Sequence, residues 1–412
     1  MNEKLKNDAS VIIKEAVQAV LPGQNVKKVL FETDLGSGDI YVVAVGKAAY
    51  TMAKAAEDVL RGRIKKGLVI TKYGHMKSEI PGFDYIEAGH PNPDENSYRA
   101  AEAAIEMVKD LSEKDHVLFL LSGGASALFE KPVIAHENME KINQSLLLSG
   151  ANIFEINTVR KHLSFVKGGR FAALAAPAHV DTVVLSDVLS SDLSFVGSGP
   201  TYPDETTGEQ AFSILEKYRI GISADTIEML MTETPKTLNN VSFFRIGDVR
   251  MLTDAAKEAA EKLGYQTVLL TNSLDCEARE AGAFFASIAR SYATSQSPIA
   301  FIAGGETVVH VKGNGKGGRN QEMALAASKG IAGLDHVAFF SIGSDGTDGP
   351  TDAAGGIVSG DTAESLEKNR ISYDKVMEDN DAYHALEKIG SLIITGPTGT
   401  NVNDLSVLLI RP

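Results

Sequence analysis

The stretch DIYVVAVGKAAYTMAKAAEDVLRGRIKKGLVITK, residues 39–72, decides the fold class of this chain. An apolar run rich in β-branched residues (39–46) is followed by an alanine-rich helical segment (47–60) and then by a second apolar run (67–72). Continuous apolar runs of this kind are typical of buried strands in parallel sheets, and the helix between them returns the chain to the start of the next strand. The stretch therefore predicts a strand–helix–strand unit of a parallel sheet.

The same alternation of short apolar runs and helical stretches continues to the end of the chain. We predict an α/β fold with a parallel-sheet domain over residues 1–240 and a second α/β domain over residues 241–412, and leave open whether the last strands pack back on the first domain. In the second domain, the alternating segment TVVHVKG (307–313) predicts an exposed antiparallel ribbon. The stretch 155–176 predicts a helix.

The composition excludes several classes of protein. A formal net charge of −14 over 412 residues argues against binding to nucleic acid or to an anionic membrane surface, because both need a basic face. The one cysteine, Cys276, excludes an internal disulfide. No apolar run approaches the ~18 residues that span a bilayer. We therefore expect a cytoplasmic protein, and leave homo-oligomerisation open.

The glycine-rich segment AGGETVVHVKGNGKGGRNQEMAL, residues 303–325, predicts a site for an anionic ligand. Its glycines would let backbone N–H groups approach phosphate or carboxylate oxygens, and the helix that opens near Asn320 would point its positive end the same way. Arg319 adds a forked cation. The segment also contains a G-x-G-x-x-G pattern, but a dinucleotide site needs a buried strand before it, so that alternative is weaker. A plain glycine-rich hairpin is the other alternative.

Residue types typical of phosphate and metal sites follow the predicted strands. Ligands of open α/β sheets bind at the carboxyl ends of the strands. Glycine with serine forms backbone nests for oxyanions, and aspartates near phosphates suit a hard divalent cation. Together these positions predict phosphoryl transfer. They are Lys47, Ser122, Gly123, Gly124, Ser126, Asp187, Gly304, Gly305, Glu306, Asp345 and Asp348.

The segment NTVRKHLSFVKGGR, residues 157–170, concentrates basic side chains in an acidic protein. It is either a solvated helix face or the basic wall of an anion site. Arg160 and Lys167 are seven residues apart, so on a helix they would share a face and could converge on one anion. His162 is interpreted as a structural histidine.

Several blocks of the sequence, taken in order, resemble the glycerate 2-kinases of the MOFRL family. The resemblance implies a Rossmann-like N-terminal domain and a second α/β domain with the active site in the cleft between them. It also implies ATP-dependent phosphorylation of D-glycerate at the C2 hydroxyl, giving 2-phosphoglycerate and ADP. The family's essential lysine falls on Lys47 and its essential arginine on Arg319. The blocks include VGKAA, GHPNPDE, LSGGASAL, INTVRKHLSFVKGGR, GSGPTYPD, GGRNQEMAL, SDGTDGPTDAAGG and TGPTGTNVND.

On this basis, the candidate residues receive roles in phosphoryl transfer. Lys47 and Arg319 would neutralise the transferred phosphoryl group, and Asp187 would accept the hydroxyl proton or position a metal. We expect substrate-binding roles for Arg160, Lys167 and Ser122, and Mg²⁺ or another divalent cation on Asp345, Asp348 and Glu306. Phosphate contacts are expected from Gly123, Gly124, Ser126, Gly197, Ser198, Gly199, Gly304 and Gly305.

Two other functions remain as alternatives. An NAD(P)H-dependent hydroxypyruvate reductase would act on a closely related substrate by a different chemistry. A sugar-acid binding protein would bind glycerate without consuming ATP. The expected small-molecule partners of the kinase are D-glycerate and ATP.

Overall fold

The computed structural model describes residues 2–188 and 192–412 and divides the chain into two compact units. The parallel-sheet unit is Pro22–Ile246, and the mixed-sheet unit combines Met1–Leu21 with Gly247–Pro412. The division differs from the predicted one, which placed a single boundary at 240/241. None of the helices in the described part of the chain is long and apolar enough to cross a bilayer.

The elements are as follows. The helices are α1 (Glu3–Ala19), α2 (Pro22–Glu32), α3 (Ala49–Leu60), α4 (Glu95–Val108), α5 (Ala125–Leu128), α6 (His136–Leu148), α7 (Ile153–His162), α8 (Arg170–Ala175), α9 (Gly208–Lys217), α10 (Ala224–Met231), α11 (Val249–Lys262), α12 (Ala278–Ser291), α13 (Arg319–Gly330), α14 (Thr362–Lys368), α15 (Tyr373–Asp379) and α16 (Ala382–Lys388), with a 3₁₀ segment at Leu193–Ser198. The strands are β1 (Ile40–Val45), β2 (Ile64–Lys72), β3 (Phe83–Ala88), β4 (His116–Leu121), β5 (His179–Leu185), β6 (Val241–Gly247), β7 (Gln266–Leu274), β8 (Ile299–Gly305), β9 (Val337–Gly343), β10 (Gly355–Ser359), β11 (Leu392–Ile393) and β12 (Asp404–Ile410).

The parallel-sheet unit is organised around a sheet with the strand order β3-β2-β1-β4-β5-β6. The pairs that join β3 through β5 are all parallel, and Val43 of β1 lies opposite Leu68 of β2 and Phe119 of β4. Phe119 packs in the core with Phe129 and with Phe171 of α8. The predicted α/β class with a parallel N-terminal sheet is confirmed. Because the strands run in parallel, the segments that follow β1 to β5 all leave the sheet at the same edge.

The mixed-sheet unit has the strand order β11-β10-β9-β12-β8-β7. Its central strand β12 is antiparallel to both neighbours, β8 and β9, whereas β7 and β8 are parallel. Helix α1 belongs to this unit because its apolar stripe packs against α11, and its one buried acid, Asp8, accepts a 2.8 Å hydrogen bond from the Tyr265 hydroxyl and pairs with Arg411. Sequence reasoning left α1 with the first domain because an amphipathic helix does not specify its partner.

Two predicted elements are wrong. Residues 307–313 do not form a ribbon: the described backbone there has one isolated bridge, between Val308 and Glu277. The stretch 155–176 is not one helix, because α7 ends at His162 and α8 begins at Arg170. Gly168 and Gly169, with φ of 56° and 81°, adopt the left-handed conformation that interrupts a helix.

Candidate active site

The pair Gly123–Gly124, between β4 and α5, is the point at which three ionisable side chains meet. A β-carbon at Gly123 would overlap the carboxylate of Asp187, which follows β5. Gly124 has φ of 89°, and a β-carbon there would lie 3.2 Å from His90 Cδ2 and 3.5 Å from Lys47 Cγ. Only glycine lets the imidazole, the lysine and the carboxylate approach this turn so closely. The sheet edge therefore carries Lys47, His90 and Asp187 around the partly buried backbone of this turn.

Hydrogen bonds between the turns after β1 and β4 hold this arrangement. The backbone N–H of Lys47 donates to the Gly123 carbonyl at 2.9 Å. The Ser122 hydroxyl is buried, donates to the Val45 carbonyl at 3.2 Å and accepts from the Ala48 N–H at 3.1 Å. Ser122 thus clamps two turns together. This placement favours a structural role over the predicted substrate-binding one.

A cavity of about 260 Å³ opens beside the glycine pair, within the parallel-sheet unit. The cavity brings together many of the site residues that we predicted in this unit, although these residues lie in separate segments of the sequence. The predicted residues that line it are Gly123, Gly124, Ser126, Arg160, Asp187 and Gly197. Other polar lining residues are His90, Glu130, Asn143 and Asn157, and the apolar lining includes Ile153, Val188, Phe195 and Val196.

Arg160 supplies a cation to this cavity. It lies in the last turn of α7, and its Nε donates a 2.7 Å hydrogen bond to Asn143 Oδ1 on α6. Burial lowers the pKa of the guanidinium from its usual range, which Glu130 partly opposes. The described residues provide no hydrogen-bond partner for its two terminal nitrogens. The Arg160 guanidinium is therefore fixed in position and partly desolvated, and its two terminal nitrogens can bind a carboxylate or phosphate.

Lys167 lies elsewhere than predicted. It follows the end of α7, so it does not share a helix face with Arg160. Its ammonium is fully buried, donates to the carbonyls of Ser126 (3.0 Å) and Phe129 (2.8 Å) and lies 3.1 Å from Glu130 Oε2. These contacts fix the turn around α5 that presents Gly123 and Ser126. These contacts favour a structural role for Lys167, and we no longer assign this residue to substrate binding.

The segment 197–199 is only partly available to a ligand. Gly197 lines the cavity, but Ser198 is buried and donates a 2.8 Å hydrogen bond to Asn157 Oδ1. The carbonyls of Ser198 and Gly199 accept from the N–H groups of Gly168 and Gly169, at 3.1 and 2.8 Å. The Ser126 hydroxyl lies 3.2 Å from that of Ser198, which links α5 to this segment.

In the mixed-sheet unit, the glycine-rich loop binds the protein itself. The N–H groups of Lys312 and Gly313 donate to Asn380 Oδ1 at 2.8 and 3.1 Å, and that of Gly315 donates to the Asp379 carbonyl at 2.8 Å. The Lys316 N–H donates to Asp381 Oδ1 at 2.9 Å. The glycines are needed here because the loop packs directly on the 379–381 backbone. The prediction that these N–H groups cradle an anionic ligand is wrong.

The N-terminus of α13 also holds an anion of the protein. Both oxygens of Asp348 accept hydrogen bonds, from the N–H groups of Asn320 (3.1 Å) and Gln321 (2.8 Å). Burial raises the pKa of Asp348 to about 6. The carboxylate takes the place that the sequence prediction gave to a ligand, and it is not free to bind a metal.

Arg319, the predicted catalytic arginine, is held by two carboxylates. Its Nε and Nη2 donate to Asp404 at 2.6 and 2.9 Å, and Nη1 lies 3.1 Å from Glu306 Oε1. Glu306 is therefore an arginine partner. Gly304 and Gly305, predicted to bind phosphate, pair instead with β12, opposite Leu405 and Asp404.

The predicted metal ligands do not form a site. Within residues 2–188 and 192–412, no three His, Cys, Asp or Glu side chains are arranged to hold a metal ion. Asp345 accepts from the Thr347 N–H at 2.9 Å, as in an Asx turn, while Asp348 and Glu306 have the partners described above. The donor set does not fit a metal centre held by the protein alone.

Sequence reasoning missed His90, although the strand-end rule could have found it. His90 comes two residues after β3, in the segment GHPNPDENS that leads into α4. Asp94 of the same segment caps α4 by accepting from the Ser97 N–H at 3.0 Å. Asn143 and Asn157 had no signal in the sequence.

The edge of the parallel sheet thus joins a basic, glycine-lined turn to a half-buried arginine in one small cavity. Cations and free N–H groups in a partly desolvated space select small anions, so fold and site together define an α/β enzyme of small anionic substrates.

Comparison with known proteins identifies the family. A model described as a domain of unknown function (DUF4147) matches residues 8–231, and the model of the MOFRL family matches residues 299–404. The chain is 51% identical to the D-glycerate 2-kinase of Thermotoga maritima over 99% of each sequence. It is 41% identical to the glycerate 2-kinase of Pyrococcus horikoshii, over 90% of this chain and 88% of that protein. The chain therefore belongs to the MOFRL-containing glycerate 2-kinase family.

A solved structure agrees with this assignment. The crystal structure of the Thermotoga maritima glycerate kinase superposes with a TM-score of 0.95, over 99% of this chain and 100% of that one, at 51% identity. A relative from Agrobacterium vitis, 38% identical over 90% of this chain and 100% of its own length, carries a provisional name as a hydroxypyruvate reductase. The two kinases named above have a higher identity to this chain than this relative has.

Proposed function

We propose that the protein transfers the γ-phosphoryl group of ATP to the C2 hydroxyl of D-glycerate, giving 2-phosphoglycerate and ADP. The names of its relatives support the reaction. The observation that carries the proposal is the pairing, within one cavity, of the Arg160 guanidinium with the Gly123–Gly124 turn. The substrate needs such a pairing, because it presents a carboxylate at one end and receives a phosphoryl group at the neighbouring carbon.

Arg160 binds the carboxylate of glycerate in this proposal. Its Nε is already held by Asn143, so the side chain keeps its orientation when the ligand is absent. The two terminal nitrogens then meet the two carboxylate oxygens as a fork. A carboxylate held in this way orients the adjacent C2 hydroxyl. Such positioning raises the rate because the bound substrate has already lost much of its translational and rotational freedom.

Lys47 and the Gly123–Gly124 backbone act on the phosphoryl group. The C2 oxygen forms a bond to the γ-phosphorus, the bond from that phosphorus to the bridging oxygen breaks, and ADP leaves with the electron pair. The proton of the C2 hydroxyl passes to the Asp187 carboxylate, which lies against Gly123. Lys47 and the backbone N–H groups neutralise charge on the phosphoryl oxygens.

The proposed role of Arg319 rests on the family resemblance. Asp404 and Glu306 hold its guanidinium in place, so it is oriented in advance. Location of the active site between two domains stays a prediction. Mg²⁺ enters the proposal only as the ion that accompanies the nucleotide phosphates, because the carboxylates we predicted for it do not fit a metal centre.

The test is the product formed by the purified protein. Incubation with ATP and D-glycerate should release ADP, and the ³¹P spectrum should show 2-phosphoglycerate. The 3-phospho isomer would overturn the assignment to C2. Oxidation of NADH by hydroxypyruvate without ADP release would establish the reductase, and binding of glycerate with neither reaction would establish the sugar-acid binding protein.

A further inference from the structure

We propose that Lys47, Lys72, His75 and His90 form a binding site for the phosphate chain of the nucleotide, and that phosphate binding there is coupled to proton uptake by the two imidazoles. This proposal rests on the function proposed above, because it assigns the phosphate end of that reaction. It gives Lys72, His75 and His90 a role in binding that the sequence did not suggest.

The topology of the sheet brings the four side chains to one edge. Lys47 follows β1, Lys72 ends β2, His75 lies in the turn after β2, and His90 follows β3. These strands are adjacent in the order β3-β2-β1 and parallel. Their carboxyl ends therefore present the four groups side by side, as ligand sites of open α/β sheets require.

Contacts among Lys47, His75 and His90 show that these three lie close together, and Lys72 is near enough for its charge to lower the pKa of both imidazoles. His75 Nδ1 lies 3.4 Å from the carbonyl oxygen of Lys47. The His90 ring and the Lys47 side chain both lie against Gly124, 3.2 and 3.5 Å from the position of a β-carbon. His90 also lines the cavity that contains Arg160. The basic group therefore borders the cavity that we assign to the substrate.

The protein itself leaves the charges of this group unmatched. In the described part of the chain, the ammonium groups of Lys47 and Lys72 make no ion pair or side-chain hydrogen bond, and neither does the His90 ring. Lys54, seven residues further along the chain from Lys47, pairs with both Glu57 and Asp58. In a chain of net charge −14, a group of basic side chains whose ammonium groups make no ion pair among the described residues is suited to an external anion.

The environment of the imidazoles couples binding to protons. Burial, then the charges of Lys72 and Lys47, lower the pKa of His75, while its hydrogen bond to the Lys47 carbonyl and the charge of Glu87 oppose this and raise it. Burial, then Lys47, Lys72 and His75, lower the pKa of His90. Both rings are therefore mainly neutral near pH 7. A bound phosphate adds negative charge beside them and raises both pKa values, so the complex takes up protons and tightens as the pH falls.

Calorimetric titration with inorganic tripolyphosphate tests this site without the nucleoside. Heats measured at about pH 6.5 in two buffers of different ionisation enthalpy give the protons taken up per ligand bound. We expect the full-length protein to take up at least about 0.3 proton more than the His75→Gln/His90→Gln variant. Ionisation of the ligand itself cancels in this difference. His179→Gln, at the opposite edge of the sheet where the ring contacts Ser242, should behave as the unmodified protein.

A lysine pair tests the charge of the site. Lys72→Met should weaken tripolyphosphate binding about tenfold, whereas Lys66→Met, on the same strand but paired with Asp84 at 3.3 Å, should change it less than about twofold.

Equal proton uptake in the unmodified and double-variant proteins would overturn the proposal, as would failure of the unmodified protein to bind tripolyphosphate. If the double variant does not fold, each single variant should lose part of the proton uptake. Unchanged proton uptake in both single variants would also overturn the proposal. The kinase assay is read separately. Tripolyphosphate binding with proton uptake but no ADP release would remove the proposed function and keep the site.

Discussion

Asp348 accepts a 2.8 Å hydrogen bond from the backbone N–H of Gln321 and thereby places a carboxylate of the protein at the N-terminus of α13. The positive end of a helix attracts anions, and a glycine-rich approach to it suggests a phosphate site. Here the anion is Asp348, from the loop after β9. The mixed-sheet unit thus uses for its own folding a feature that we had assigned to the ligand.

Stability should depend on the protonation of Asp348. Its pKa, raised to about 6 by burial, exceeds the ~3.9 of an unfolded aspartate, so the folded state binds the proton more tightly. This contribution is complete below about pH 4 and is lost as the pH rises through about 6. The free energy of unfolding of the unmodified protein, relative to that of Asp348→Asn, should therefore fall over this range in urea titrations followed by circular dichroism. A difference that rises or stays constant would contradict the raised pKa.

Lys47→Met should lower kcat at least about 10²-fold and leave the fold intact. The ammonium has no partner among the described residues, so its removal leaves no buried charge behind. Steady-state kinetics with D-glycerate and ATP measure the effect, and circular dichroism checks the fold. Lys54→Met, which removes a lysine already paired with Glu57 and Asp58, is the matched control and should stay within about twofold. An unchanged kcat in the Lys47 variant would remove this lysine from the mechanism.

Arg160→Gln should raise the KM for D-glycerate about 10- to 100-fold, because a charge-assisted hydrogen bond contributes about 1.5–3 kcal/mol. The KM for ATP should change less than about threefold. Arg99→Gln removes an exposed arginine that contacts Asn96 and serves as the control. If the KM for ATP rises while that for glycerate does not, Arg160 binds the nucleotide.

Arg319→Met should lower both stability and activity. Loss of the guanidinium leaves Asp404 buried and unpaired, which costs about 3 kcal/mol of unfolding free energy, and kcat should fall about 10²-fold. The double variant Arg319→Met/Asp404→Asn separates the two effects, since it removes the unpaired charge and should recover stability alone. Recovery of kcat along with stability would limit Arg319 to a structural role.

Lys167→Met should destabilise the parallel-sheet unit by about 3 kcal/mol, because Glu130 would remain buried without its cation. The double variant Lys167→Met/Glu130→Gln removes both charges and should be more stable than the single variant. Urea unfolding of the unmodified protein, of the single variants Lys167→Met and Glu130→Gln and of the double variant measures this. A double variant that loses the sum of the two single effects would show that the ion pair is not the source of the loss.

Sequence reasoning was most successful in the parallel-sheet unit. Lys47, Gly123, Gly124 and Asp187 were selected because each follows a predicted strand, and the structure places them around one turn. The rule works because parallel strands necessarily release their carboxyl ends at one edge. The same rule applies to His90, which follows β3. We overlooked this residue because the segment that contains it leads into a helix.

The errors have one physical cause. Lys167, Asp348, Glu306 and the loop 312–316 carry groups that suit a ligand, but each found a partner inside the protein. A buried or helix-terminal donor must be satisfied, and a segment far away in sequence can satisfy it as well as a substrate can. The loop contacts residues 379–381, more than sixty positions away, and no local sequence pattern predicts that contact.

The sequence by itself determined the α/β class, the family and the edge of the sheet where ligands meet the chain, because apolar periodicity and strand-end residues are local properties. Only the tertiary structure decided which charged groups remain available there. Arg160 keeps two nitrogens open to a cavity, whereas Arg319 is held by Asp404 and Glu306. The two arginines look alike in the sequence, since availability depends on which distant carboxylates the fold brings within hydrogen-bond distance.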